Sequence, residues 1–238
     1  MSTNIGKTIP VQIQKQLRKE CFYGCAICGM PLLKYAHIVP YSRIQALLPE
    51  NIVPLCPQHY YKYDSGGLSE SSLRDAKKDP HNKSQPQDAF FVESQDLTIN
   101  IGKCKFINTY RVLALDDFDL ITVTRENDKY LLLDINFFDR INSLTATISE
   151  NSWVSDTIAD WGIDYVPQKY LGIQNAQRNI KFEIAIENIE LYIDIMMYYN
   201  SYQINITRTE ILLNGSKIGA EFENKVLKNY DVGIAAYT

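Results

Sequence analysis

Three thiols and one imidazole stand in two pairs of identical spacing, Cys25-Ala-Ile-Cys28 and Cys56-Pro-Gln-His59. A two-residue gap lets one turn present two donors to the same ion, and a tetrahedral zinc accepts sulfur at about 2.3 Å and imidazole nitrogen at about 2.0 Å. Two such pairs close one coordination sphere, so structural zinc on Cys25, Cys28, Cys56 and His59 is expected. An isolated Cys-x-x-Cys would compete with the plainer reading of two small buried residues; the second pair tips the balance. Cys21 and Cys104 have no partner at ligand spacing and are read as core. An odd count of five cysteines, three of them in metal spacing, fits a reducing compartment better than a disulfide framework. The clamped segment is too short to own a separate core, so its polar residues should be displayed on a metal-pinned platform.

Two residues on that platform can do chemistry. His37 carries an imidazole, whose ordinary pKa near ~6.5 allows it to accept a proton from water at neutrality. Asn51 carries an amide that can fix a neighbouring loop or the histidine tautomer. The bland alternatives are a satisfied core histidine and a turn asparagine. Around them lie Lys34, Tyr35, Tyr41, Arg43, Tyr61, Lys62 and Tyr63, a mixture suited to holding phosphates and stacking on bases. Arg43 and Lys62 are the candidate nucleic-acid contacts; the alternative is a solvated surface in a chain with 16 tyrosines.

The elements that must position these groups are legible in outline. From Thr8, the recurrence of Val11, Gln14, Leu17 and Cys21 predicts an amphipathic helix leading into the first pair, with Gly24 as its terminator. Leu32 to Val39 reads as strand material ending at Pro40, which puts His37 near a strand end. Pro57 opens a short helix through Asp64, stopped by Gly66-Gly67, and Ser69 caps a further helix from Glu70 to Lys78. The polar, proline-containing run from Asp79 to Asp88 shows no periodicity and reads as a linker.

Beyond it the apolar period becomes two. Leu97-Ile99-Ile101, Ile121-Val123, Leu131-Leu133-Ile135, Leu144 to Ile148, Ile180 to Ile186 and Leu191-Ile193-Ile195 each set apolar residues on one face. Glu126-Asn127-Asp128, Glu187-Asn188 and Asn214-Gly215 supply the turns between them. The expected fold class is α+β: a small zinc-stapled domain over residues 1–80, a linker at 81–88, and an antiparallel β-rich domain of sandwich or barrel-like type over 89–238. Trp153 and Trp161 are read as core of that second part, and its acids, such as Asp116, Asp117 and Glu190, as solvated turn residues.

Four ordered motifs, Gly24-Cys-Ala-Ile-Cys-Gly-Met-Pro-Leu, Tyr35-Ala-His-Ile-Val-Pro, Glu50-Asn-Ile-Val-Pro-Leu-Cys-Pro and Gly67-Leu-Ser, resemble the HNH endonuclease family in its zinc-knuckle form, over about residues 10–80. The resemblance implies a β-hairpin and helix, the ββα-metal fold, around a catalytic Mg²⁺ or Mn²⁺, with a separate zinc staple. It implies hydrolysis of phosphodiester bonds in DNA, in defence or mobile-element biology. His37 then matches the general base and Asn51 the middle asparagine that holds the histidine-bearing loop. Two positions depart from the family pattern: Ala36 stands where an acid or histidine commonly ligates the catalytic ion, and Tyr60 stands where the last histidine is usual. A carboxylate from Glu50 or Asp64 could substitute as a ligand, or the Tyr60 or Tyr61 oxygen could act directly, attacking phosphorus or protonating the leaving group. The rival expectation, favoured by Ala36 and Tyr60, is an HNH-fold module that binds nucleic acid or a protein without cutting.

Charge agrees in direction. The net −4 conceals a basic first part, with 11 Lys+Arg against 6 Asp+Glu over residues 1–85, and an acidic remainder with 13 against 22. Phosphate contacts, if made, belong to the first part. No stretch approaches the ~18 apolar residues of a membrane span, and the opening residues lack a basic region followed by an apolar run, so a cytoplasmic protein is expected, with no membrane partner. A protein partner or self-association is expected to use the β-rich domain.

Overall fold

A computed structural model describes residues 9–155, 160–218 and 223–236. The chain divides into two compact units, Met1–Phe90 and Phe91–Thr238. Together they are mixed α and β, with most of the regular structure in strands.

The first unit begins with α1 (Val11–Glu20), whose expected start at Thr8 lies outside the described residues. Leu17 is its fully buried apolar anchor. The helix does not run to Gly24. It stops at Glu20, and Phe22 and Tyr23 both take left-handed backbone at φ +53° and +61°, with the Tyr23 amide returning to the Arg18 carbonyl. Gly24 serves close approach instead, since a Cβ there would lie 2.3 Å from the Gly29 carbonyl oxygen.

Strand β1 (Lys34–His37) pairs antiparallel with β2 (Ile52–Leu55), setting Ala36 opposite Val53 and His37 opposite Ile52. The chain between them holds the short helix α2 (Tyr41–Ile44) and a 3-10 turn over Pro49–Asn51. Helices α3 (Pro57–Asp64) and α4 (Glu70–Lys78) follow; the Ser69 hydroxyl caps α4 by accepting from the Ser72 amide at 3.1 Å. Leu33, Ala36, Ile38, Val53, Leu55 and Leu73 bury together with Cys25 and Cys56, so the candidate zinc ligands are part of the core that joins hairpin to helices. A second patch, Ile9, Leu17 and Ile52, seats α1 on the other strand positions. Burial of this kind stabilises by roughly 1.5–3 kcal/mol per large side chain.

The run expected as a linker is folded. Helix α5 (His81–Ser84) and a 3-10 turn at Pro86–Asp88 occupy it, tied by a 2.7 Å hydrogen bond between His81 Nε2 and Asp88 Oδ2. Composition misleads here because its order comes from contacts with residues 22–29 rather than from periodicity.

The second unit consists of strands in one branched sheet. Strands β3 (Thr98–Ile101), β4 (Cys104–Ile107), β5 (Arg111–Leu115), β6 (Phe118–Glu126), β7 (Tyr130–Phe138), β8 (Leu144–Ser149) and β9 (Ser152–Ser155) come first. Strands β10 (Trp161–Val166), β11 (Tyr170–Asn175), β12 (Lys181–Glu187), β13 (Glu190–Tyr199), β14 (Tyr202–Ile206), β15 (Ile211–Leu213), β16 (Ser216–Lys217), β17 (Val226–Lys228) and β18 (Val232–Ala236) complete it. Two antiparallel meanders, β5 to β9 and β10 to β16, meet where Tyr198 pairs with Phe138. Asn127-Asp128, Asn188-Ile189 and Asn214-Gly215 all take positive φ, the two-residue hairpin geometry that matches strand twist. Among the described residues, three pairings are parallel and were not foreseen: β3 on β13, β17 on β4 and β18 on β5. They bring together segments far apart in sequence, which local pattern does not encode. Trp153 is 2% exposed and lies against Phe137 and Trp161.

Candidate functional site

The four donor atoms of Cys25, Cys28, Cys56 and His59 all lie within 4.8 Å of one another. Tetrahedral coordination at ~2.3 Å to sulfur and ~2.0 Å to nitrogen requires sulfur–sulfur separations of about 3.8 Å and sulfur–nitrogen separations of about 3.5 Å. The Cys28–Cys56 sulfurs are 3.8 Å apart, and His59 Nδ1 is 3.6 Å from Cys25 Sγ and 3.2 Å from Cys56 Sγ. The donor set therefore fits a zinc ion in both identity and size.

Local sequence explains the arrangement. The Cys25 amide donates to the Met30 carbonyl and the Gly29 amide to the Cys25 carbonyl, closing a tight loop whose left-handed Gly29 (φ +77°) turns Cys28 back toward Cys25. Cys56 is the N-cap of α3, with its sulfur accepting from the His59 amide at 3.5 Å, and Pro57 occupies the first helical position. A thiolate at a helix N-terminus is favoured by the unpaired amides there.

In the metal-free protein the cluster shares its protons unequally. Burial works to raise the Cys25 thiol, but hydrogen bonds from Cys28, Cys56 and His59 hold it well below its ordinary value. Hydrogen bonds to Cys25 and Cys28, with burial, push Cys56 strongly up. His59 is raised to about 10 by its hydrogen bonds to Cys25 and then Cys28, against burial. These shifts favour a thiolate at Cys25 beside a protonated His59, and a cation bound by the four donors would take the place of the cluster's protons.

His37 ends β1, where its ring meets the edge of Tyr41 at 5.6 Å between centroids. Its Nε2 is buried without a hydrogen-bond partner, and burial lowers its pKa, so the imidazole is neutral at pH 7. Asn51 is 4% exposed and pairs with the backbone of one residue in both directions: its Oδ1 accepts from the Val39 amide and its Nδ2 donates to the Val39 carbonyl, each at 2.9 Å. The Asn51 carbonyl also accepts from the Ile38 amide at 2.8 Å. Tyr63, kept protonated by burial and by the charges of its neighbours, donates to the His37 carbonyl at 2.5 Å. The backbone from His37 to Val39 is therefore held from both sides.

Tyr60 stands apart from this pair. Its ring neighbours are the Lys34 ammonium, 5.0 Å from the centroid, and Tyr63. Burial, then Asp64, pushes its phenol above its ordinary value, so it can donate a proton but is not a phenolate near neutrality. Ala36 faces the buried cluster against which Tyr60 packs. Strand alternation turns the next side chain, His37, to the other face. Arg43 is exposed on α2, 3.8 Å from Glu70, and Lys62 is exposed on α3. Glu50 and Asp64 are both exposed. Among the described residues, the cluster at Cys25 is the one group of histidine, cysteine and acidic side chains close enough to share an ion.

Two residues escaped the sequence reading in their roles. Tyr63 was seen as a stacking side chain, whereas it braces His37. Asn82, in the expected linker, is completely buried against the metal loop. No local signal marks it, since its partners are carbonyls of residues over 50 positions away.

No family model, curated protein or solved structure matches this chain significantly. No helix among the described residues is long and apolar enough to cross a membrane.

Proposed function

We propose that the first unit is an HNH-type nuclease module: a ββα arrangement of β1, β2 and α3, stapled by zinc, that hydrolyses phosphodiester bonds in DNA. The observation that carries this reading is the two-way clamp of Asn51 on Val39, which is the duty expected of the middle asparagine beside the base histidine. His37 serves as the base, and its neutral imidazole is in the protonation state that role needs. Arg43 and Lys62 take up phosphate from exposed positions. Asp64 or Glu50 would be the protein carboxylate for a Mg²⁺ or Mn²⁺ ion, which would supply charge stabilisation at the phosphate. The β-rich unit provides target or partner recognition.

One observation favours a second reading, a module that holds nucleic acid without cutting it. His37 Nε2 is closed off from solvent, and Ala36 offers no ligand beside it. Through that nitrogen His37 cannot reach a water to activate it. Nicking of supercoiled plasmid with Mg²⁺ or Mn²⁺, compared between the natural chain and His37→Ala, separates the two. Hydrolysis requires nicking lost by at least ~100-fold in the variant, the lower range for removal of a general base. Nicking retained by His37→Ala overturns the assignment of the base; DNA retarded on a gel but uncut by both chains establishes the binding module.

A further inference from the structure

Asn82 is 0% exposed and lies against the loop that carries the first pair of zinc ligands. Its Nδ2 donates to the Phe22 carbonyl at 3.1 Å and to the Gly29 carbonyl at 3.3 Å. One residue earlier, the His81 amide donates to the Ala26 carbonyl at 3.0 Å. Three carbonyls between residues 22 and 29 are thus satisfied by two consecutive residues of the segment that ends the first unit. The fit is steric as well. A Cβ on Gly24 would sit 2.3 Å from Asn82 Nδ2, and one on Gly29 would sit 2.2 Å from Asn82 Oδ1. Glycine at both positions makes the notch that Asn82 fills. Flipping the amide would turn its oxygen toward two carbonyl oxygens, so the donor orientation is forced.

The same loop is shaped by the metal ligands. Gly29, whose carbonyl Asn82 holds, donates its amide to the Cys25 carbonyl, and Ala26, whose carbonyl His81 holds, follows Cys25 directly. The loop is also held by the protein itself, with Cys25 and Ala26 buried in the core and the Ala26 amide donating to the Pro54 carbonyl at 3.0 Å, so an ion on Cys25 and Cys28 tightens an arrangement that the packing begins. Without the strap of residues 80–88, the Phe22, Ala26 and Gly29 carbonyls lose their donors inside the protein, and any left buried goes unsatisfied.

We infer that zinc binding and docking of the 80–88 strap are one coupled event: the ion orders the loop that receives Asn82, and Asn82 in turn strengthens zinc binding. This rests on the reading of Cys25, Cys28, Cys56 and His59 as a zinc site, and is independent of whether the unit cuts nucleic acid. Coupling of this kind is reciprocal, so each side reports on the other. Asn82 is a positioning residue that reaches the ligands through Gly29, whose amide bonds to the Cys25 carbonyl; direct partners of metal ligands change affinity about 10–100-fold, so the lower end of that range is expected here. The consequence for the molecule is that the last stretch of the first unit, where the chain leaves for the second, is held more firmly in the metal-loaded protein.

The full-length chain tests this. Zinc titration against a chromophoric chelator is expected to give one tight site in the natural protein and a dissociation constant about 10-fold higher in Asn82→Ala. Trypsin is expected to cut after Lys83 at least 10-fold faster once zinc is stripped, while cleavage in the second unit is unchanged. Because Asn82→Ala removes buried hydrogen bonds and could unfold, hydrogen exchange on the natural chain supplies an independent reading: the His81 amide should exchange at least 10-fold more slowly with zinc than without it. No stoichiometric zinc at all would remove the metal reading and this inference with it. Stoichiometric zinc with unchanged affinity in a folded Asn82→Ala, or a His81 amide equally protected in both states, would overturn the coupling alone.

Discussion

At the scale of residues, the metal cluster sets a pH signature that differs between its two states. In the metal-free protein, His59 has its folded pKa raised from 6.5 to about 10. Its contribution to stability is whole below 6.5 and lost as pH rises through about 10. Cys25 is lowered from 9.0, so its contribution is present above 9.0 and lost as pH falls through its folded value. Between 6.5 and 9 the counts cancel, because the fold holds imidazolium and thiolate where the unfolded chain holds imidazole and thiol. Cys56, pushed up from 9.0, stays protonated in the fold and weakens it above that pH. The stripped protein should therefore show a flat urea midpoint from about pH 6.5 to 9 and lose stability on either side. Zinc must displace the His59 and Cys56 protons, so its affinity should climb through the same window, with proton release visible as buffer-dependent heat. A metal-free midpoint that slopes across that window, or a zinc affinity that does not, would contradict the proton assignment.

At the scale of elements, α4 separates what is capped from what is packed. Leu73 is its one buried residue, whereas Ser69 caps it from the surface. Leu73→Ala is expected to cost about 2–5 kcal/mol through the cavity it leaves. Ser69→Ala is expected to cost about 1 kcal/mol through the lost cap. Chemical denaturation measures both, and equal losses would mean that α4 is held by its cap rather than by the hairpin. Both boundaries of α4 were legible, since Ser69, Lys77-Lys78 and Pro80 each act within one turn of the chain. The same holds for α3 behind Pro57, and for the hairpins at Asn127-Asp128 and Asn214-Gly215. What stayed hidden depends on distance: the end of α1 before Gly24, the parallel contact of β18 with β5, and the folding of residues 81–88 onto the metal loop. Within the site, ligand spacing made the four zinc donors readable one by one. The separation of Tyr60 from His37 needed the pairing of β1 with β2, and the closing of Nε2 needed the packed structure.

At the scale of the whole molecule, two units with separate cores should respond separately to metal removal. The first draws part of its order from Cys25 and Cys56 within its core, while the second is held by its own strands, with Leu131, Leu133, Phe137, Ile184 and Ile193 all essentially buried. A ligand that binds only the native state stabilises by about 2.7 kcal/mol at a hundredfold excess over its dissociation constant. For a unit of this size each kcal/mol moves the melting temperature by roughly 4–8 °C. Chelation should thus lower the first unit's transition by about 10–20 °C and leave the second where it was. The two tryptophans, Trp153 and Trp161, both belong to the second unit, so their fluorescence follows that unit alone, whereas calorimetry sees both. A tryptophan transition that falls together with the calorimetric one on chelation would mean that the units unfold as a single cooperative body. A calorimetric trace indifferent to chelation would mean that the four donors stabilise nothing by binding a metal. The informative outcome is divergence: one transition displaced in heat, none displaced in emission.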